Sequence, residues 1–103
     1  MICFLLHCHF SVRIYSVNSG RSLECFGVKG KGTGQLNKPV DVSWDKEGHL
    51  LVLDEGRVQV FTKKGEFVRA LAVKSKVHAL SVIGQSLFIS DVYSVTKYVW
   101  KIK

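Results

Sequence analysis

The sequence predicts an all-β fold built from short antiparallel strands, and three observations support this prediction. Apolar and polar residues alternate from Val40 to Asp45, as they do along a strand with one covered face. Turn-forming clusters such as DKEG and TKKG separate the apolar runs at short intervals. No stretch has a clear apolar period of about 3.6 residues, so helices are not expected.

The central part of the chain contains four predicted strands. The first is Val40 to Asp45, and the second, Leu50 to Leu53, is apolar at every position, which is typical of a strand covered on both faces. The third is Arg57 to Phe61, and the fourth, Glu66 to Leu71, follows the TKKG turn. The sequence therefore predicts a complete four-stranded antiparallel unit.

This unit is repeated along the chain. The segment that ends at Asp54 aligns without a gap with the segment that ends at Asp91, at an offset of 37 residues (91 − 54), which pairs Val42 with Ala79. A second comparison aligns VRIYSVNSGRSLECFG with VQVFTKKGEFVRAL at an offset of 45 (65 − 20), with one inserted residue. Four short strands in a repeat of roughly 40 residues are typical of a β-propeller blade.

The predicted fold is therefore an incomplete β-propeller of four-stranded antiparallel blades. Residues 39–73 would form one complete blade, residues 12–27 part of the preceding blade and residues 77–102 part of the following one. Residues 1–11 are either a degenerate strand or a segment foreign to the repeat, and residues 12–103 form the propeller fragment. Closed propellers have about four to eight blades. We therefore expect a fragment of a longer protein, a truncated gene product, or a piece that self-associates through exposed blade faces.

The motifs between residues 30 and 71 resemble the NHL repeat. They read, in order, GKGTGQLNKPVDV, GHLLVLD, RVQVF and GEFVRAL. The resemblance implies structural roles for the residues at the repeat positions, which are Gly30, Gly32, Gly34, Pro39, Asp54, Arg57, Gly65 and Asp91. Two departures are expected in the flanking units, where Cys8 would take the place of Asp54 and Lys97 would stand near the place of Arg57.

Residues 30 to 39 are interpreted as a connector between blades. Gly30, Gly32 and Gly34 would adopt positive φ while the chain crosses, and Pro39 suits the first position of a strand. The alternative is a phosphate-binding loop, because successive backbone N–H groups can bind an anion. GKGTGQ lacks the spacing and the following helix of a P-loop, and Gln35 stands where a dinucleotide-binding motif has its third glycine.

Asp54 and Arg57 are expected to form an ion pair across the turn between the second and third strands. The pair would fix the hairpin, and its exposure to solvent decides whether it contributes more than about 1 kcal/mol.

The charge of the chain keeps anionic partners in consideration. Fifteen Lys and Arg residues against eight Asp and Glu residues give a formal net charge of +7. A basic surface binds RNA phosphates or acidic proteins, although dispersed lysines are equally typical of a solvated surface or a protected strand edge. The candidate anion or RNA contacts are Lys29, Lys31, Lys38, Lys63 and Lys64.

The cysteines indicate a reducing compartment, and we expect a cytoplasmic protein. Three cysteines cannot all pair within one chain, and a disulfide scaffold normally has a denser, even set. The opening MICFLLHCHF has no basic flank or cleavage site and is too short to span a bilayer, so no signal, anchor or membrane partner is expected.

No catalytic residue, metal site or cofactor is predicted. Neighbouring residues on an extended strand cannot both face one ion, which argues against zinc at the N-terminal set of Cys3, His7, Cys8 and His9. A nucleophile pair lacks a local signature among Cys25, His49 and His78. The aromatic residues could stack on RNA bases, but most alternate with Val and Leu, which favours core packing. They are Trp44, Phe61, Phe67, Phe88, Tyr98 and Trp100.

The NHL resemblance implies a non-catalytic docking surface, commonly found at the C-terminus of ubiquitin ligases that carry a RING domain. The partner would be a protein or ubiquitination substrate, and ubiquitin transfer would depend on a RING domain, whose cysteine spacing this sequence lacks. Other proteins similar to this one bind single-stranded RNA on a basic propeller face, which is the alternative. Related propeller lyases need His and acidic metal-binding clusters that the sequence does not contain.

Overall fold

A computed structural model describes residues 2–6, 11–15, 19–54, 56–73, 76–91 and 94–99. These ranges contain ten β-strands and no helix, which confirms the all-β prediction. No helix long and apolar enough to cross a membrane occurs in them. The strands are β1 (Ile2–Leu6), β2 (Ser11–Tyr15), β3 (Ser22–Phe26), β4 (Pro39–Trp44), β5 (Leu50–Asp54), β6 (Arg57–Phe61), β7 (Phe67–Ala72), β8 (Ala79–Ile83), β9 (Ser86–Ser90) and β10 (Val95–Val99).

The strands form three antiparallel sheets. The N-terminal sheet has the order β1-β2-β3, the middle sheet β4-β5-β6-β7, and the C-terminal sheet β10-β9-β8. Strands that are consecutive within a sheet are neighbours, so each is joined to the next as a hairpin. The four strands predicted over residues 40 to 71 are those of the middle sheet, which begins at Pro39 and ends at Ala72.

The middle sheet is covered on both faces. All five residues of β5 are buried, as its continuous apolar sequence predicts. One face packs on the C-terminal sheet in a cluster of Leu51, Leu53, Val58, Val60, Val77, Leu80, Leu87 and Ile89. The other face packs on Val12 and Leu36 through Leu50, Val52 and Phe61. Each fully buried Val or Leu side chain contributes about 1.5–3 kcal/mol, so this sheet is the core of the protein.

The aromatic residues only partly follow the prediction of core packing. Phe61 is buried and stacks on Phe26 of β3, with 5.0 Å between ring centroids. Trp44 and Tyr98 are half-buried against the two clusters. Phe67 is 39% exposed, and Trp100 lies outside the described residues. The prediction is also wrong for Phe88, because it alternates with buried residues of β9 and so faces outward.

The hairpin registers correct the alignment of the repeat. Val42 lies opposite Val52 in the middle sheet, and Leu80 lies opposite Ile89 in the C-terminal sheet. Because Val52 and Ile89 are counterparts at the offset of 37, the counterpart of Val42 is Leu80. The predicted pairing of Val42 with Ala79 is therefore wrong by one residue.

A difference in loop length causes this shift. The β8–β9 hairpin closes through a two-residue turn at Gly84 and Gln85, because the residues on either side of them are paired. In the middle sheet, the five residues 45–49 separate Trp44 from its partner Leu50, whereas the four residues 83–86 separate the corresponding pair, Val82 and Leu87. A gapless alignment cannot follow both hairpins, so it loses the register of the first strand.

The register of the N-terminal sheet also differs from the alignment predicted from the sequence. β1 occupies Ile2–Leu6 within the segment whose assignment the sequence left open. Leu6 pairs with Ser11 at the start of β2, just as Asp54 pairs with Arg57 at the start of β6. Leu6 therefore takes the position that the sequence assigned to Cys8, which lies outside the described residues.

The three sheets meet along one set of edge strands. β4 lies beside both β1 and β8, and each of the three is at the edge of its sheet. Asp41 links two of them, because its Oδ2 accepts a hydrogen bond from the backbone N–H of Leu80 at 2.8 Å. Its Oδ1 accepts one from Val42 at 2.9 Å. A carboxylate of one sheet thus satisfies an edge N–H of the next.

Candidate functional site

The connector between β3 and β4 is an ordered loop that folds back on itself. The N–H of Leu36 donates to the carbonyl of Val28 at 2.8 Å, and the N–H of Gly30 donates to the carbonyl of Leu36 at 3.0 Å. Leu36 is buried in the cluster shared with the middle sheet. The loop is therefore part of the cover of the middle sheet rather than a free linker.

Backbone amides of the connector are used inside the protein. The N–H of Gly32 donates to Oε1 of Gln35 at 2.9 Å, and the N–H of Gly34 donates to Oε1 of Gln59 at 2.8 Å. An anion-binding nest requires several neighbouring amides that point at a ligand. Two glutamine side chains already occupy that role here, so the loop is a poor phosphate cradle.

The connector needs its glycines for more than one reason. Gly34 has a φ of 77°, in the left-handed region that favours glycine. Gly32 does not adopt positive φ, so the expectation for that residue is wrong. A Cβ at Gly32 would lie 2.9 Å from Oε1 of Gln35, and one at Gly30 would overlap the same side chain. Close approach of Gln35 therefore explains Gly32, whereas Gly30 combines that approach with the predicted positive φ, at 158°.

Asp54 is the buried centre of the contact with the connector. Its side chain is fully buried. It accepts hydrogen bonds from the backbone N–H groups of Asn37, at 3.0 Å to Oδ2, and Lys38, at 2.6 Å to Oδ1. The expected ion pair with Arg57 is present, with 3.0 Å between Nη2 and Oδ2. The carboxylate thus holds the last residues of the connector at the start of β4.

Arg57 extends this contact to the glycine loop. Its guanidinium donates to the carbonyls of Lys31 and Gly32 at 3.0 Å and to that of Gln35 at 2.7 Å. Gln59 adds a bond from Nε2 to the same carbonyl of Gln35 at 2.6 Å. We call Asp54, Arg57 and Gln59 the connector clamp. The clamp holds the connector between the N-terminal and middle sheets in place. The ion pair alone was expected only to fix the hairpin of β5 and β6.

The sequence analysis did not identify two glutamines of this contact, Gln59 of the clamp and Gln35 of the connector. Gln59 interrupts the apolar run RVQVF, and a polar residue that is fully buried needs partners. That interruption was the available signal. Gln35 gave no comparable signal, because its partners are amides brought close by the loop's own fold.

Within the described residues, the corresponding turn of the C-terminal sheet has contacts of shorter range. Asp91 corresponds to Asp54, but it accepts hydrogen bonds from the N–H of Ser94 at 2.8 Å and from its hydroxyl at 3.3 Å. Ser94 therefore stands where Arg57 does. Lys97, which the sequence placed near that position, lies opposite Phe88 instead, with Nζ 6.0 Å from the ring centroid. That expectation is wrong because two residues separate Asp91 from Ser94, just as two separate Asp54 from Arg57, so the counterpart of Arg57 comes three positions before Lys97.

Gly65 lies in the β6–β7 turn with a φ of 89°. A Cβ there would come within 2.8 Å of the ring of Phe26. This turn therefore packs closely on the N-terminal sheet.

The candidate RNA contacts fall into two groups. Lys29, Lys31 and Lys38 are exposed on the connector, next to the start of β6. Lys63 and Lys64 are exposed on the turn that follows the end of β6. A five-residue strand is roughly 13 Å long, so the two groups are separated by about that distance. The five lysines thus lie near the two ends of β6, and their role in binding RNA stays a prediction.

The remaining candidates form no reactive site within the described ranges. Cys3 lies on β1 and Cys25 on β3, whereas residues 7–9 lie outside the described residues. His49 contacts Asp45 in the β4–β5 turn, with 3.0 Å between Nδ1 and Oδ2. The N–H of His78 donates to the carbonyl of Ser90 at 2.8 Å. No group of three or more His, Cys, Asp and Glu residues in these ranges could hold a metal ion.

Comparison with known proteins finds relatives for part of the chain. No protein-family profile matches. Sixty residues are 43% identical to E3 ubiquitin-protein ligase TRIM71 from Rattus norvegicus, and the same identity and length hold for E3 ubiquitin-protein ligase TRIM71 from Mus musculus. The match covers 50% of this chain and 7% of each ligase. The chain is therefore similar, over half its length, to a small part of an E3 ubiquitin ligase.

Proposed function

We propose that the three sheets are consecutive blades of an incomplete NHL-type propeller. Three features support this arrangement. The sheets follow one another in the chain, edge strands β1, β4 and β8 lie side by side, and both neighbours cover the middle sheet. The connector clamp then acts as the joint between the first and second blades.

We further propose that the module is non-catalytic and docks a protein, acting as the substrate-binding or partner-binding part of a RING-type E3 ubiquitin ligase in protein degradation. The observation that carries this proposal is the 43% identity to 60 residues of a ubiquitin ligase. The 7% of that ligase which is matched would recognise the substrate, and a RING domain elsewhere would transfer ubiquitin. The three cysteines and the RING context both favour a cytoplasmic location.

Single-stranded RNA is the alternative partner, and the net charge of +7 favours it. The three exposed connector lysines would provide the nearest group of phosphate contacts. Lys63 and Lys64, in the turn at the other end of β6, would extend these contacts. Protein docking remains the stronger proposal, because it has support from the ligase similarity as well as from the surface.

The test is to fuse the chain to a RING domain and to follow the ubiquitination of proteins that bind it. Each protein that binds the fusion is purified, and its affinity for the isolated chain is measured at about 50 and about 200 mM salt. Docking through protein surfaces predicts that binding persists and that the fusion ubiquitinates the partner. RNA binding through five lysines predicts a loss of affinity of about 100-fold over that salt range.

A charge-matched pair of variants separates the two functions. One variant replaces Lys29, Lys31 and Lys38 by Gln, and the control replaces Arg21, Lys46 and Lys76 by Gln. Protein docking predicts that both variants retain the partner. Retention that disappears on RNase treatment, and weakens only in the connector variant, would refute protein docking in favour of RNA.

A further inference from the structure

The middle sheet has one covered edge and one open edge. Its first strand, β4, lies beside β1 and β8, and Asp41 there accepts a hydrogen bond from the backbone of Leu80. Its fourth strand, β7, pairs with β6 on one side. Among the described residues, no strand pairs with the other side of β7. This edge belongs to a complete four-stranded sheet, between the N-terminal and C-terminal sheets in the chain.

Backbone geometry shows which groups point out of the open edge. The N–H of Val73 donates to the carbonyl of Gly56 at 2.9 Å, so the backbone of Val73 points toward β6. Backbone groups in an antiparallel pair point toward the partner strand at alternate residues. Those of Leu71 therefore also point toward β6, and those of Ala70 and Ala72 point outward. The N–H and C=O groups of the two alanines are thus placed to pair with a further strand.

The second half of β7 lacks the features that normally protect an edge strand. Such strands are usually guarded by a charged side chain, a proline or a bulge. β7 has two of these features near its start, which are a register shift against β6 and the exposed Arg69. Residues 70–73 read ALAV, with no charge and no proline. Ala70 and Ala72 are both exposed, and their small side chains leave the backbone accessible to another strand.

We propose that β7 pairs with β7 of a second copy of this chain, antiparallel, around a two-fold axis at Leu71. The two four-stranded middle sheets then form one continuous sheet. In this register Ala70 of each copy lies opposite Ala72 of the other. These are the residues whose backbone groups point outward, so each of the two alanine pairs exchanges two hydrogen bonds. The pairing goes beyond the docking function and does not depend on it.

The side chains of β7 are also self-complementary in this register. Leu71 lies opposite Leu71 of the other copy, and Arg69 lies opposite Val73. Like charges directly opposite each other are destabilising in an antiparallel pair, and this arrangement contains none. The two Arg69 residues are roughly 13 Å apart along the strands, where salt screens most of their repulsion. A second copy therefore satisfies both the backbone groups and the side chains of this edge, as an isologous contact requires.

The charge of the chain gives this dimer a characteristic response to salt. A short strand pairing buries little surface, so the dimer belongs with weak, transient interfaces. The net charge of +7 on each copy opposes association. Salt screens this repulsion, so the dimer should become tighter as ionic strength rises. Association bridged by RNA would respond in the opposite way, because salt weakens phosphate contacts.

The first test removes an outward donor from the edge. Sedimentation of the full chain over a concentration series should show a monomer–dimer equilibrium, and hydrogen exchange at the amides of Ala70 and Ala72 should slow as the dimer forms. Ala72→Pro removes one of these N–H groups and leaves the pairing with β6 intact, since proline is tolerated where an edge N–H faces solvent. It should weaken the dimer about tenfold or more. Ala72→Thr keeps the N–H and should dimerise as the wild type does.

Charge pairs at the two alanines test the register. A chain with both Ala70→Lys and Ala72→Glu keeps its net charge and places lysine opposite glutamate twice, so its dimer should be about fivefold tighter. Lysine at both positions places lysine opposite lysine and should abolish the dimer. The matched control carries lysine at the exposed Ser81 and Gln85, has the same net charge, and should weaken the dimer only through general repulsion.

Three outcomes would overturn the proposal. The first is a chain that stays monomeric at every concentration and salt. The second is a dimer that is unaffected by Ala72→Pro and by the charge pairs, which would place the contact on another surface. The third is association that falls with salt or disappears on RNase treatment, which would assign it to RNA.

Discussion

The middle and C-terminal sheets are built from corresponding strands, yet they differ in what surrounds them. Leu51 and Val58 of the middle sheet are buried beneath the C-terminal sheet. Their counterparts, Phe88 and Val95, lie on a face that the described residues leave uncovered, where Val95 is 66% exposed. The same strand pattern is therefore buried in one sheet and exposed, among the described residues, in the other.

The outward face of the C-terminal sheet is also more polar than its buried counterpart. Leu53 of the middle sheet corresponds to Ser90, and Val60 corresponds to Lys97 at the offset of 37. A serine and a lysine reduce the apolar area that this face presents to water. The expectation that exposed blade faces self-associate stays a prediction for this sheet, because the exposed Val95 and Val99 lie beside the exposed Lys97.

The largest expected difference between the sheets concerns their turn contacts. Arg57→Ala leaves the buried Asp54 carboxylate without its cation and removes the Arg57 donor from the carbonyls of Lys31 and Gly32, so we expect a loss of about 3–5 kcal/mol. The counterpart, Ser94→Ala, removes a hydroxyl in an exposed turn and should cost about 0.5 kcal/mol or less. Urea unfolding followed by tryptophan fluorescence measures both free energies.

Arg57→Lys refines this result. Lysine keeps the charge but cannot form the same set of bonds to the connector. The free energy of unfolding of Arg57→Lys should therefore fall between those of wild type and Arg57→Ala. If Arg57→Ala and Ser94→Ala cost the same, the connector clamp has no special role in stability and the contrast between the two turns is lost.

The next effect compares a buried and an exposed valine at corresponding positions of the two sheets. Val58→Ala removes two methyl groups from a fully buried site, and we expect a loss of about 2 kcal/mol. Val95→Ala makes the same change at the corresponding exposed site and should cost less than about 0.5 kcal/mol. The same unfolding experiment measures both variants. A comparable loss at Val95 would mean that its face is covered in solution.

The strands of the middle sheet and their burial could be predicted from the sequence, because the spacing of apolar residues shows which faces of a strand are covered. The continuous apolar run of β5 predicted a strand buried on both faces, and turn residues predicted the hairpins of the middle sheet. Register was less accessible. A two-residue turn at Gly84 and Gln85 moves Leu80 into the place predicted for Ala79, and the sequence does not show hairpin closure directly.

The candidate site was predictable only where it depends on local residues. Asp54 and Arg57 are three positions apart, so their ion pair follows from the turn between them. Their bonds to the connector join residues 16 to 26 positions apart. Such contacts depend on how the loop folds over the sheet, and no local pattern encodes them. Asp41 was missed for the same reason, since its partner is 39 positions away.

The smallest expected effect concerns this link between the two sheets. Asp41→Ala leaves the N–H of Leu80 without its carboxylate acceptor at the half-buried contact between β4 and β8, and we expect a loss of about 1 kcal/mol. Hydrogen exchange at the Leu80 amide should become about fivefold faster, whereas amides within β5 should change only with global stability. Asp41→Asn keeps one acceptor oxygen and should have a smaller effect. Unchanged exchange at Leu80 would show that backbone packing alone holds β8 against β4. The hydrogen bond from Leu80 to Asp41 would then add nothing to the contact between the two sheets.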